Sequence, residues 1–167
     1  GGAMGDEFAL ATLTHAQLGT PSFGIAPGSG TLRMTLRSQT DSRMDQMVAE
    51  AEALVQRALN QASGLSGAIT WHEVFLATVN APRAVELAAA AANRLDLAQL
   101  TMDAPMRWSE DFGRFGMDGA TAAMLFIGSG EDQPQLHNPN FDFPDALIPI
   151  GVSLFVEIIQ QVLESPK

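Results

Sequence analysis

The chain carries three histidines, His15, His72 and His137, and no cysteine. Without thiols there is no disulfide framework, no thiolate-held zinc or iron–sulfur cluster and no cysteine nucleophile. Gly28-Ser29-Gly30 lacks the lysine and the following helix of a phosphate-binding loop. A Ser-His-Asp set is defined by geometry that spacing along a chain does not show. His15 falls at the end of one expected strand and His72 inside another, where a histidine is ordinarily a solvated rim residue. His137 differs in context, because Leu136-His137-Asn138-Pro139-Asn140-Phe141-Asp142-Phe143 follows an apolar run that ends in Gly128-Ser129-Gly130. Ligands of open α/β sheets gather beyond the carboxyl ends of strands. Imidazole suits zinc, so His137 is the candidate metal ligand, with Glu110 or Asp111 to ligate or orient it. No catalytic residue and no substrate-binding residue can be assigned from residue types alone.

The elements that must position these residues follow from periodicity. Phe8 to Thr14 is β-compatible, Gly19 to Gly30 is rich in glycine and proline, and Leu32, Met34 and Leu36 alternate with Arg33, Thr35 and Arg37. The first and last read as antiparallel neighbours joined by the turn-rich connection. A helix follows from Asp41 to Ala62, with Thr40, Asp41 and Ser42 all able to cap it and Asp45 placed for a capping box with Ser42. Its apolar face runs through Met44, Met47, Val48, Leu54, Val55 and Leu59, and Gly64 ends it. On that reading Leu54→Ala should cost about 2–5 kcal/mol. Ala68 to Leu76 is a further expected strand, so strand, strand, helix, strand makes a partial ferredoxin-like unit.

The texture changes at Asn80-Ala81-Pro82. Pro82 suits the first turn of an Ala-rich helix over Arg83 to Asn93. Leu97 to Asp103 reads as a short strand, and a helix could begin at Ser109. Thr121 to Ile127 is apolar on both alternations, as in a strand covered on both faces. From Pro149 a last helix reaches Glu164, with Val152, Phe155, Val156, Ile159, Val162 and Leu163 as its expected buried stripe. The fold class expected is α+β to α/β. Residues 1–79 form one unit and 80–167 a second, and Gly1 to Gly5 reads equally as a protease scar or as the chain's own loop.

At 167 residues, 46% apolar and 17% charged, the chain can bury a core and is not disordered. Nine basic against nineteen acidic residues leave a net charge of −10. That charge repels phosphate, so neither nucleic acid nor an anionic membrane is an expected partner. The most apolar stretch noted, Ala120 to Ile127, is too short to span a bilayer. A cytoplasmic location is expected.

Ser109-Glu110-Asp111-Phe112, then Thr121 to Gly130, then Leu136 to Phe143, then Leu147-Ile148-Pro149-Ile150-Gly151 stand in a familiar order. They resemble the C-terminal end of the zinc amidohydrolases of the aminoacylase and carboxypeptidase superfamily. The hippurate hydrolase and indoleacetyl-amino-acid hydrolase branch shows the same S-E-D-F, F-x-G-x-G and L-H-x-P-x-F-D-F pieces. Upstream, Gly30-Thr31-Leu32-Arg33 and the helix from Thr40 to Ala62 resemble the second half of that family's lid domain.

The resemblance covers nearly the whole chain from Phe8 but less than half of a family member. It implies the second half of a lid followed by the strand–helix tail of a zinc-peptidase-like α/β domain. It implies a parent enzyme with two divalent ions, zinc or manganese, whose bridging water attacks the amide of an N-acyl amino acid or small peptide. Of the family's metal ligands only His137 carries over. The His-x-Asp pair, the Glu-Glu pair with the general base and a further His ligand have no counterpart here. The chain alone is therefore expected to be inactive and to bind no metal tightly. Gly24 stands where the lid loop has a substrate-binding Asn. The alternative is a non-catalytic dimerisation module derived from such an enzyme, since family lids join sheet to sheet into a homo-oligomer.

Overall fold

The computed structural model describes residues 5–102 and 104–164. Residues 1–4 and Asp103, the last residue of the strand expected from Leu97, lie outside them. The element order is β1 (Ala9–Leu18), β2 (Gly30–Ser38), α1 (Asp41–Gln61), α2 (Pro82–Arg94), a 3₁₀ stretch (Asp111–Gly119) and α3 (Leu147–Glu164). This is an α+β arrangement with one antiparallel two-stranded sheet among the described residues. The chain divides into two compact units, one from Gly1–Ala77 with Met102–Asp111, the other from Thr78–Thr101 with Phe112–Lys167.

In the first unit β1 and β2 pair from Ala9 opposite Ser38 to Leu18 opposite Gly30. The register shifts between Leu13 and His15, so Thr14 is an extra residue, and its hydroxyl donates to the Arg33 carbonyl at 3.1 Å. The bulge has a purpose legible in side-chain parity. Ala9, Ala11 and Leu13 share a face by simple alternation, which would next place His15 and Gln17 there. One extra residue puts Ala16 and Leu18 on that face instead, opposite Leu32 and Gly30. At the tight end a Cβ on Gly30 would press on Leu18 Cδ2 at 2.7 Å, the tip of an exposed side chain that can shift, and on the Gln17 carbonyl oxygen at 3.1 Å.

The α1 helix starts at a Thr40 cap, whose hydroxyl accepts from the Arg43 amide at 3.3 Å. Thr40 is thus the one of the three candidate caps that is used, and the Ser42–Asp45 box is not. The helix packs on β2 through its first half. Met47 and Phe8 are buried, while Leu54 is 58% exposed. Of the apolar face expected of α1, Met44, Met47 and Val48 near the start and Leu59 near the end are buried or half-buried, while Leu54 and Val55 between them are exposed. We expect Met47→Ala to cost about 2–5 kcal/mol in urea unfolding and Leu54→Ala less than about 1 kcal/mol. Equal losses would refute this placement of the core.

The expected strand Ala68–Leu76 does not form, and so the predicted third strand of a ferredoxin-like unit is absent from the sheet. The segment instead runs back along α1. Gly67 meets Leu59, the Trp71 indole donates to Glu52 at 3.0 Å, and the Ala77 amide donates to the Asp41 carboxylate at 2.7 Å. Ten steps of this segment cover eighteen of the helix, so the chain is stretched to somewhat less than full strand extension. The run has strand-like reach but no neighbouring backbone to ladder with, and Glu73 at φ 51° interrupts it. Between α1 and Gly67–Ile69 lies a groove of about 510 Å³, lined by Ala49, Ala53, Val55 and Leu59.

In the second unit the Ala-rich helix α2 packs on α3, with Ala88, Ala91 and Leu154 buried. Small side chains on α2 allow close approach. The face of α3 used is Leu147, Ile150, Gly151, Leu154, Ile158 and Gln161, all buried or half-buried. The stripe expected to be buried, Val152, Phe155, Val156, Ile159, Val162 and Leu163, is between 48% and 78% exposed. Apolar residues surround this helix, so periodicity alone could not select its inner face. Polar contacts help to do so: Arg94 pairs with Glu157 at 2.6 Å, and buried Gln161 donates to the same carboxylate. The α3 helix also has the length and mean hydropathy, 1.6 over 18 residues, to cross a membrane, a test that core helices of soluble proteins also pass. It replaces Ala120–Ile127 as the most membrane-like stretch.

Thr121–Ile127 is not a strand and is not covered on both faces. Ala122 to Met124 are half-buried, and Leu125 to Ile127 are exposed. Without a ladder partner it is held by Asn80, whose side-chain amide donates to the Met124 carbonyl at 3.2 Å and accepts from the Met124 amide at 2.8 Å. The Ala81 amide adds a bond to the Ala122 carbonyl at 2.8 Å. Leu97–Met102 forms no strand either. The helix expected at Ser109 is a 3₁₀ stretch that starts at Asp111 and is broken at Met117 and Asp118.

Candidate functional site

His137 sits in the second unit on an exposed turn between residues 127 and 147. Successive short hydrogen-bonded turns shape the backbone there. The Asn138 amide donates to the Gln135 carbonyl and the Phe141 amide to the Asn138 carbonyl, both at 2.9 Å. The Asn138 side chain accepts from the Asn140 amide at 2.9 Å, an Asx turn that Pro139 accommodates because it needs no amide partner. Gln133 donates to the Asp142 carbonyl, which ties the two ends of the turn together. His137 itself adopts φ 72°, a left-handed conformation that costs a residue with a Cβ energy and that the flanking turns hold in place. The local order of the histidine is the result of these turns.

The sequence-predicted site residues fall in different units. His15 is in β1 opposite Arg33, immediately after the bulge. His72 lies in the extended segment beside α1, its ring nitrogen Nε2 3.1 Å from the Thr70 hydroxyl. Glu110 and Asp111 belong to the first unit and His137 to the second. Among the described residues no three His, Asp or Glu side chains cluster to hold a metal ion. A structural or catalytic zinc site takes three or four protein ligands. The donor set present, one imidazole on a turn, does not complete such a site.

Two residues with clear positioning roles were missed by reading residue types. Asn80 was visible only as a change of texture before Pro82, and its use as a clip on Met124 depends on a contact 44 residues away. Arg37 was read as part of the charged outer face of β2. Its Nη1 donates to the Arg107 carbonyl and to the Ser109 hydroxyl, each at 3.2 Å. No periodicity carries that information.

Comparison with characterised proteins, and with solved structures, gave no match. Comparison with family patterns did. The match to peptidase family M20/M25/M40 extends over residues 10–161. It takes in both strands of the hairpin, α1, α2, the His137 turn and most of α3. The chain therefore belongs to peptidase family M20/M25/M40.

Proposed function

We propose that this chain is the C-terminal part of a metal-dependent amidohydrolase, comprising half of a lid domain within residues 1–79 and a catalytic-domain tail within residues 80–167. Its substrates on this reading are N-acyl amino acids or small peptides, and its branch is that of the hippurate hydrolases. The observation that carries the reading is the family match over residues 10–161, together with a histidine held on an ordered turn inside it. His137 is the metal ligand this chain contributes to a site for zinc or manganese. When bound, the metal polarises the scissile carbonyl and activates water. The chain's own part is to hold one imidazole at a fixed place on a strained turn, while the other ligands and the general base come from residues it does not contain. A cytoplasmic location remains part of the proposal. A second reading, a non-catalytic homo-oligomerisation module of the same descent, is favoured by the outer edges of the two-stranded sheet, which pair with no further strand among the described residues.

Calorimetric titration with Zn²⁺ tests the first reading. We expect binding weaker than micromolar, lost in His137→Ala, and no release of amino acid from N-acyl substrates by the chain alone. A nanomolar one-to-one site would overturn the claim that the ligand set is incomplete. An open reading frame continuous with this one that lacks the His-x-Asp and Glu-Glu pairs would favour the module over the enzyme.

A further inference from the structure

Within the second unit, α3 presents three faces. Leu154, Ile158 and Gln161 lie on the face packed on α2 and are buried or half-buried. Ser153, Gln160 and Glu164 form an exposed polar strip, with Glu157 at its border held by Arg94. The third face carries Val152, Phe155, Val156, Ile159, Val162 and Leu163, all exposed, and no polar residue. Val152 and Ile159, Phe155 and Val162, and Val156 and Leu163 each stand seven apart. A seven-residue repeat of apolar positions is the seam by which one helix packs along another. A face kept for solvent would resemble the polar strip instead.

We propose that this stripe is the contact between two copies of the chain, α3 against α3 about a two-fold axis. The proposal rests on the homo-oligomer reading and names its surface, which is this helix and not the edges of the sheet. A two-fold contact requires one patch that complements itself, and a seam of this period does so. Charge favours this place. Each chain carries a net −10, so two copies repel wherever acidic surface meets. The acidic residues of α3, Glu157 and Glu164, both lie off the stripe, and two stripes meet without charge. Covering the six side chains removes about 600 Å² per copy and about 1,200 Å² for the pair, where specific interfaces begin. A lipid surface fits less well. A helix lying in a bilayer interface carries Lys or Arg on its polar face, and α3 has neither. In the dissociated chain the stripe faces water, so truncating one of its side chains costs little folding free energy; association adds stability that grows with concentration.

Light scattering after gel filtration of the whole chain and its variants tests this. We expect Ile159→Glu, at the middle of the stripe, to halve the particle mass while the helical circular dichroism is kept. Gln160→Glu, which adds the same charge one residue away on the polar strip, and Leu13→Glu, on the exposed part of the sheet, should leave the mass unchanged. A second measurement needs no disruptive substitution. The chain has no cysteine, so one introduced thiol reports alone. The thiols of Phe155→Cys and Ile159→Cys should react with a maleimide at least about fivefold more slowly at assembly concentration than on dilution, and that of Gln160→Cys equally at both. An assembly that survives Ile159→Glu but dissociates in Leu13→Glu would overturn the proposal and leave the homo-oligomer reading standing. A wild-type monomer at every concentration would overturn both. Co-sedimentation of the wild-type chain with phosphatidylcholine vesicles, lost in Ile159→Glu, would assign the stripe to lipid and overturn the proposal as well.

Discussion

Leu154→Ala is expected to lower the unfolding free energy by about 2–5 kcal/mol, and Ile159→Ala by less than about 1 kcal/mol. The two residues are five positions apart on one helix and alike in size, so the contrast isolates which way α3 faces. Leu154 is buried against α2 beside Ala88 and Ala91, and Ala91 is fully enclosed. Truncation there leaves a cavity whose walls are helix backbone on one side and cannot easily collapse. Ile159 belongs to the outer stripe and is 55% exposed, so truncation removes surface already in contact with water. Urea unfolding monitored by circular dichroism measures both. A larger loss for Ile159 would mean that the helix is turned about its axis relative to this structure.

The same helix shows where sequence reading succeeds and where it stops. The existence of α3, like that of α1, α2, β1 and β2, follows from local pattern, caps and prolines, which act over a few residues. Its orientation follows from Arg94, 63 residues upstream of its partner Glu157, and from the small residues of a different helix. Ala68–Leu76 and Thr121–Ile127 fail for a related reason. Both have the composition of strands, but a strand exists only when another backbone supplies its ladder, and none among the described residues does. One is laid along a helix and the other clipped by an asparagine. His137 was legible only as part of a motif, and the turns that hold it at φ 72° were not read from the sequence. That Glu110 and Asp111 would group with the hairpin unit was not legible, because it depends on contacts between residues about 70 apart in sequence, such as that of Arg37 with Ser109.

A dimer or larger assembly is the second result expected, by light scattering after gel filtration at micromolar concentration. Large apolar side chains are exposed within each unit: the outer stripe of α3 in one, and Leu13, Leu32 and Met34 of the sheet with Leu54 and Val55 of α1 in the other. Soluble monomers rarely carry apolar patches beyond a few hundred Å². A monodisperse monomer with a sharp cooperative melt would show that the chain in solution closes these surfaces on itself, contrary to this structure.

The extra residue in β1 makes the strand unequal in its tolerance of length change. Thr14 is the one position that the ladder does not count. Remove it, and Ala9, Ala11, Leu13, Ala16 and Leu18 still fall on one face, now by plain alternation. Remove Thr12 instead, and with the bulge kept Leu10 changes sides with Ala9 and Ala11. Insertions and deletions along this hairpin are therefore not interchangeable events. A lineage could gain or lose a codon at Thr14 while every other side chain kept its surroundings, whereas the same change two codons away would turn the start of the strand inside out.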